Sequence, residues 1–400
     1  MLVFVVSMLD NKKATVCLAF CRYRVACFLT MVTTAYILIM VNMPPMRDWV
    51  PEFEFSTQEN LHSFLRFRSE TRNSSLSLSQ PTSIKSKYRL ILIWSHLYDD
   101  LLQIGMNTFK NSKCFEYKCE ITDNRTRLVE SDVILFHVRT MSLLDVPRHR
   151  LPNQKWVFFS LEAPPYSYFN GFQFMNNIFN WTMTYREDSD IVVRYGSVTT
   201  LEKSYFNVTN LYDVWKRKSK MATWMVSHCS TSGNREKYVQ ILSKYMDIDT
   251  YGLCGFATCT FNETEQCLQN FSKRYLFFLA FENAVCDDYI TEKFYRTLKY
   301  EMIPVVFGGG NYKKVAPPNS FIDAMDFVSP KELSSHLYRV ASNYTLFSHY
   351  FDWKSKFHSN DTPDPCGLCR KIHSRSFQHT SVYDSMEKWW VQKSRCRKWE

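Results

Sequence analysis

Residues 275–310, YLFFLAFENAVCDDYITEKFYRTLKYEMIPVVFGGG, constrain the fold more tightly than any other stretch of the chain. The opening run of seven apolar residues is too short for an ordinary globular helix and rich in aromatics, which predicts a buried strand. A polar cluster follows (Glu282, Asn283, Asp287, Asp288), and then Phe294, Leu298 and Met302 at helical spacing predict a helix over about 291–301. Pro304 is expected to end that helix, and 305–307 read as a second strand stopped by three glycines. Strand, helix and strand at this spacing make a βαβ unit with a right-handed crossover. In such sheets ligands sit beyond the carboxyl ends of the strands, where helix N-termini point. That place holds Glu282, Asn283, Tyr289, Glu292 and Lys293. A carboxylate and a lysine together on the first helical turn suit a ribose hydroxyl and a phosphate. Spacing alone equally allows an ordinary first-turn carboxylate beside a solvated lysine.

The chain has 400 residues, enough for two domains with accessory segments. Its aromatic content of 16% is far from a disordered composition. The net charge of +10 is not gathered into a dense basic block, so no nucleic-acid partner is expected. Moderate basicity fits an anionic small substrate or the surroundings of a membrane. Lys12, Lys13, Arg22 and Arg24 precede an uncharged run at 25–43 that Pro44-Pro45 close. As a helix its core at 25–41 spans about 26 Å, enough for a thin bilayer. Positive charge before the run keeps residues 1–24 cytosolic and sends the rest of the chain into a lumen. A cleaved signal peptide is the rival, but apolar residues continue past any small-residue site near Ala35. Sequons at Asn73, Asn124, Asn180, Asn207, Asn262, Asn270, Asn343 and Asn360 suit the secretory pathway. So do ten cysteines after the anchor, an even number in an oxidising compartment, whose connectivity the sequence leaves open.

Residues 44–87 lack periodicity and include a Ser-rich stretch with a proline, which reads as a stem. Buried-strand runs follow at 90–94, 132–138, 155–160, 181–185 and 191–195, an open α/β pattern. Cys114 and Cys119 are expected to staple one connection between them. Glu162 stands just beyond the strand at 155–160, and Pro164-Pro165 fix the loop after it. Such a site can aim a carboxylate into a cleft, although a capping or salt-bridged surface Glu is the plainer reading. Asp188-Ser189-Asp190 reads either as a metal site beside phosphates or as a turn. The second half begins near 211, with strands at 222–227 and 249–252 and helices at 235–246, 263–271 and 331–341. Arg235 opens its helix at a strand-to-helix turn, where a guanidinium can grip phosphate bidentately, or it is simply a solvated arginine. No G-x-G-x-x-G or Walker pattern is present, which argues against a common dinucleotide or kinase fold. Cys366-Gly367-Leu368-Cys369 with His373 and His379 resembles a zinc cluster, but a lumen favours one or two disulfides.

FLAFENAVCDDYITEKFYRTLKYEMIPVVFGG resembles the donor-binding signature of the α1,3-fucosyltransferases, which transfer L-fucose from GDP-fucose to a GlcNAc residue of a glycan. Further blocks resemble the same family in order: TDNR at 122–125, SDVILFHVR at 131–139, LEAP at 161–164, TYREDSD at 184–190, WMVSHCSTSGNREKY at 224–238 and DPCGLC at 364–369. The resemblance implies a GT-B architecture, two Rossmann-like α/β domains facing a cleft, with an N-terminal transmembrane anchor and stem. The expected organisation is a tail at 1–24, an anchor at 25–43 and a stem at 44–87. An acceptor-side domain follows at 88–210, a GDP-fucose-binding domain at 211–360 and a cysteine-containing segment at 361–400. Carried over by position, Glu162 is the general base, Arg235 and Lys293 bind the GDP phosphates, Tyr289 and Glu292 belong to the donor pocket, and Asn283 is a further pocket member. His228 departs from the Asn often found there, which puts its contact to the nucleotide in doubt. No cofactor is required on this reading, because two cations serve the departing pyrophosphate; Mn²⁺ would at most stimulate. The implied protein is a single-pass type II Golgi enzyme whose partners are GDP-fucose, a GlcNAc-containing glycan and the membrane. The alternatives are an inverting transferase for another sugar nucleotide and a catalytically silent glycan-binding homologue.

Overall fold

Alternation along the apolar runs decides the architecture. In β1 (Arg89–Ile93), β3 (Val133–His137) and β4 (Lys155–Ser160), neighbouring residues enter different cores. Val133, Leu135, Val157 and Phe159 pack on one face of the sheet, while Ile134, Phe136, Trp156 and Phe158 pack on the other. A sheet buried on both faces needs continuous apolar strands and parallel pairing. Both are present. β1, β2 (Cys119–Thr122), β3, β4, β5 (Trp181–Thr184) and β6 (Ile191–Val192) pair in parallel in the order β2-β1-β3-β4-β5-β6.

The structure, a computed structural model, describes residues 88–400 apart from 98–100, 149, 170, 203–209, 258 and 380. The expected tail, anchor and stem at 1–87, and the sequons at Asn73 and Asn207, lie outside the described residues. No helix among the described residues is long and apolar enough to cross a membrane.

A second parallel sheet has the order β12-β11-β10-β8-β9, with β10 (Tyr275–Phe281) at its centre. Its neighbours are β8 (Lys220–Met225), β9 (Ile248–Tyr251), β11 (Ile303–Phe307) and β12 (Ile322–Asp323). Phe277, Leu279 and Phe281 enter one core and Tyr275, Phe278 and Ala280 the other, so β10 too is covered on both faces. The chain leaves β8 for β9 on one side and returns to β10 on the other. The crevice at the ends of β8 and β10 is therefore this sheet's switch point, where such folds place ligands.

The fold departs from two sequence expectations. The helix after β10, α4 (Glu292–Thr297), ends well before Pro304, which lies inside β11 opposite Phe278. Cys114 and Cys119 do not staple a connection to each other. They bond to Cys366 and Cys369, 252 and 250 residues away, and so tie α6 (Cys366–His373) to the edge of the first sheet. Leu368, Cys369 and Ile372 of α6 complete the core around β1 and β3. Further on, Met386, Trp389 and Trp390 complete the core on the opposite face, with Trp390 5.4 Å from Phe158. An antiparallel ribbon of β7 (Ser197–Thr200) and β13 (Phe357–Asn360) joins the two crossings between lobes.

Candidate active site

Glu162 is set by the end of β4. The Ser160 hydroxyl donates to the Glu162 carbonyl at 3.0 Å, and Tyr195 Oη donates to the Leu161 carbonyl at 2.5 Å. Ala163 then caps the short helix α1 (Pro164–Ser167), whose prolines occupy first-turn positions where no amide donor is needed. The backbone is thus fixed on both sides of Glu162. Tyr289 Oη donates to Glu162 Oε2 at 3.2 Å, and Arg139 Nη1 lies 3.7 Å from Oε1. The side chain remains 34% exposed, open to a cleft of about 440 Å³ lined by His137, Arg139, Tyr195, Thr362 and Pro363 among others. Burial, and then the charge of Arg139, push the His137 imidazole down to about 4, so this ring of the lining is neutral near pH 7.

The second half of the site comes from the switch point of the other sheet. Arg235 is the first residue of α2 (Arg235–Leu242) and is only 3% exposed. Its guanidinium donates to the carbonyls of Phe281 at 2.5 Å and His228 at 3.3 Å, while its buried Nε has no partner. Burial holds its pKa below the ordinary arginine value, and Glu282 works against that fall. Glu282 itself is fully buried at the end of β10. It accepts from the Thr291 amide and hydroxyl, each at 2.8 Å, and from Lys293 Nζ at 3.4 Å. Burial raises its pKa while Lys293 lowers it.

Lys293 Nζ donates to Thr291 Oγ1 at 2.8 Å and to Glu292 Oε1 at 3.2 Å as well. Burial disfavours its charge, but Glu292 and Glu282 outweigh that and hold its pKa above the usual lysine value. Burial likewise disfavours charge on Glu292, yet Lys293 and Arg296 keep its pKa below the ordinary one. Lys293 also feels Arg235 and Glu162, so all three groups share one electrostatic neighbourhood. Tyr289 is buried against Tyr185 and Tyr195 at 4.9 and 6.3 Å, which aims its hydroxyl at Glu162. Asn283 keeps its Oδ1 buried without a partner, while its carbonyl accepts from Tyr166 Oη and the Gly233 amide, each at 3.0 Å. The glycines after β11 now have a reason. A Cβ on Gly309 would meet the backbone of Cys286, and one on Gly310 the side chain of Ile290, so the loop carrying Tyr289 can approach only glycine here.

Glu162, Arg235, Asn283, Tyr289, Glu292 and Lys293 therefore stand at or beside one crevice between the lobes. Arg139 and Tyr166 were not singled out from the sequence. Arg139 follows the end of β3 by two residues, so the rule that located Glu162 after β4 also reaches it.

The other candidates resolve differently. Asp188 is ion-paired with Arg186 at 2.8 Å. Asp190 accepts from the Thr182 amide at 3.0 Å and from Tyr383 Oη at 2.8 Å. These acids serve the protein's own donors in a turn, and among the described residues they form no metal-ready group. Cys366 and Cys369 are committed to disulfides, as are the other eight described cysteines: Cys229–Cys254, Cys259–Cys267 and Cys286–Cys396 complete the set. The His228 ring lies 5.3 Å from that of Tyr166. Asn124, Asn262, Asn270, Asn343 and Asn360 are exposed. Asn180 differs from these: it is buried, donates to the Ser381 carbonyl and accepts from the Trp156 amide, each at 2.9 Å, and from Arg150.

Two family descriptions match the chain: "Fucosyltransferase, N-terminal" over residues 86–196 and "Glycosyltransferase family 10 (fucosyltransferase) C-term" over 215–389. Alpha-(1,3)-fucosyltransferase C of Drosophila melanogaster is 34% identical over 338 residues, covering 77% of this chain and 79% of the relative. The bovine (Bos taurus) 4-galactosyl-N-acetylglucosaminide 3-alpha-L-fucosyltransferase 9 is 31% identical over 370 residues, covering 88% and 93%. A crystal structure of an alpha1,3-fucosyltransferase with GDP-fucose aligns over 76% of this chain and 94% of its own, at 16% identity and a TM-score of 0.46.

Proposed function

The chain belongs to glycosyltransferase family 10, the fucosyltransferases, and from that premise we propose that it transfers L-fucose from GDP-fucose to O3 of a GlcNAc residue, with inversion. Glu162 is the general base on this reading. The acceptor hydroxyl oxygen bonds to the anomeric carbon of fucose from the face opposite GDP, and its proton passes to the Glu162 carboxylate. The bond from that carbon to the β-phosphate oxygen breaks, and its electron pair leaves with GDP. Charge growing on the pyrophosphate is met by Lys293 and Arg235, two cations already held in place by fixed oxygens. Glu292 fits the donor sugar or ribose hydroxyls, and Asn283 offers its unbonded Oδ1 to the same ligand. No step passes through a metal, so activity should persist in chelator, with Mn²⁺ at most stimulatory.

The observation that carries this reading is the Tyr289–Glu162 hydrogen bond of 3.2 Å. It ties the proposed base in one lobe to the loop of the other lobe that leads into Glu292 and Lys293 on α4. A GT-B arrangement, two sheets of Rossmann type across a cleft, accommodates this division of labour. The apolar run at 25–43, five disulfides and five exposed sequons support a type II Golgi membrane protein with a luminal catalytic body. The test is to incubate the solubilised full-length chain with GDP-fucose and a panel of terminal N-acetyllactosamine, its GalNAc analogue and N-glycan cores. Fucose should appear on at least one β-linked GlcNAc; no transfer to any of them overturns the assignment.

A further inference from the structure

The last residues of the chain sew the two donor loops together. Arg397 forms an isolated antiparallel bridge with Val285, its amide donating to the Val285 carbonyl at 2.9 Å. One residue on, Cys286 is bonded to Cys396, and next the Asp287 amide donates to the Ser394 carbonyl at 2.9 Å. The Asp287 carboxylate meets Arg395, with Arg397 at 4.0 Å. The same short segment reaches the other loop. The Trp399 amide donates to the Gly233 carbonyl at 3.2 Å, and Asn234 Nδ2 donates to the Trp399 carbonyl at 2.7 Å. The Trp399 ring lies 4.9 Å from Tyr238 on α2, the helix that Arg235 opens. The strap is also anchored in the opposite lobe. Trp390 Nε1 donates to Ser167 Oγ at 2.8 Å, and Arg186 donates to Ser394 Oγ at 2.6 Å.

We propose that residues 394–399 are positioning residues for the donor: they hold the loops at 233–235 and 285–289 in the geometry that binds the nucleotide diphosphate. The physical reason lies in the loops themselves. Asn234 and Asp288 both sit at positive φ, 63° each, a conformation that costs free energy and persists where surrounding contacts impose it. Arg235 directly follows the first of these residues and Tyr289 the second. Each side chain's aim therefore depends on a backbone state that the strap's hydrogen bonds and disulfide help to fix. Preorganisation of this kind is read out as ligand affinity, because an unheld loop must be ordered at the expense of binding.

The inference rests on the donor-site reading above, and the experiment separates the two. GDP binding by calorimetry, and KM for GDP-fucose against KM for acceptor, are compared among the full chain, Trp399→Ala and the Cys286→Ala/Cys396→Ala pair. Thermal midpoints are recorded alongside. Both variants should weaken GDP binding and raise the GDP-fucose KM about tenfold or more, about 1.4 kcal/mol, with acceptor KM unchanged within about threefold. Trp399→Ala leaves every disulfide intact, so it keeps the test open if the cysteine variant fails to fold. Unchanged GDP affinity in a folded variant overturns the strap's role. Loss of donor and acceptor affinity together, in step with the thermal midpoint, overturns it too. If the parent chain itself does not bind GDP, the donor-site reading fails instead, and the strap proposal with it.

Discussion

Replacing Glu282 with Gln should damage fucosyl transfer although Glu282 touches no substrate in the proposed reaction. The carboxylate is fully buried, and every oxygen contact it makes leads to Thr291 or Lys293. Gln keeps the volume and one accepting oxygen, but removes the charge and offers an N–H where Lys293 and the Thr291 hydroxyl donate. Hydrogen bonds to a charged group contribute roughly 1.5–3 kcal/mol against roughly 0.5–1.5 for neutral ones, so two weakened bonds cost about 2 kcal/mol of stability. Losing one donor aimed at a developing negative charge costs roughly 10²–10³ in kcat. Misplacing Lys293 rather than deleting it should therefore cost on the order of tenfold to a hundredfold. The assay is a double-mutant cycle on kcat with Glu282→Gln, Lys293→Ala and both together. If Glu282 acts through Lys293, the double variant is no slower than Lys293→Ala alone. Additive losses would refute that coupling, as would kcat within twofold of the parent in Glu282→Gln.

Two further predictions use residues given no part in the proposed transfer. His137, pushed down to about 4 by burial and by Arg139, binds fewer protons folded than unfolded between that value and about 6.5, so stability rises with pH across this window. Acidification from pH 6.5 to 4 should cost the parent about 3 kcal/mol more than His137→Gln in denaturant unfolding; parallel curves would show that the imidazole is not held neutral. Glycopeptide mapping should find no sugar at Asn180, and Asn180→Ala should destabilise by about 2 kcal/mol, since it strands the Trp156 amide and takes one acceptor from Arg150, which keeps the Ile178 carbonyl. Occupancy at Asn180 would contradict its buried placement.

Much of the molecule was legible in the chain because parallel strands buried on both faces write themselves as continuous apolar runs. The strands at 155–160 and 275–281 coincide with β4 and β10, and the rule that ligands gather beyond such strands placed Glu162, Arg235 and Lys293 together. Their roles were another matter. By spacing alone each had a plain reading at least as good, and only the resemblance separated them. What escaped has no local signature. Pro304 looks like a helix stop, yet it lies within β11, pairing with β10 at Phe278. Disulfides spanning some 250 residues follow from the return of α6 to the first sheet, a tertiary event that cysteine spacing does not encode. Asn180 satisfies the sequon pattern while its amide is consumed by the core. The strap at 394–399 has no periodicity of its own, since its bonds run to loops more than a hundred residues upstream.

In the proposed reaction, proton removal and donor binding are divided between the lobes, with Glu162 in one and Arg235 and Lys293 in the other. The most direct measurement compares the parent and Glu162→Gln for GDP-fucose affinity by calorimetry and for kcat on the best acceptor of the panel. Donor affinity should stay within about threefold while kcat falls by roughly 10²–10⁴, the range a positioned general base contributes. Transfer at near-parental rate, or loss of donor binding in parallel with the rate, would contradict this division.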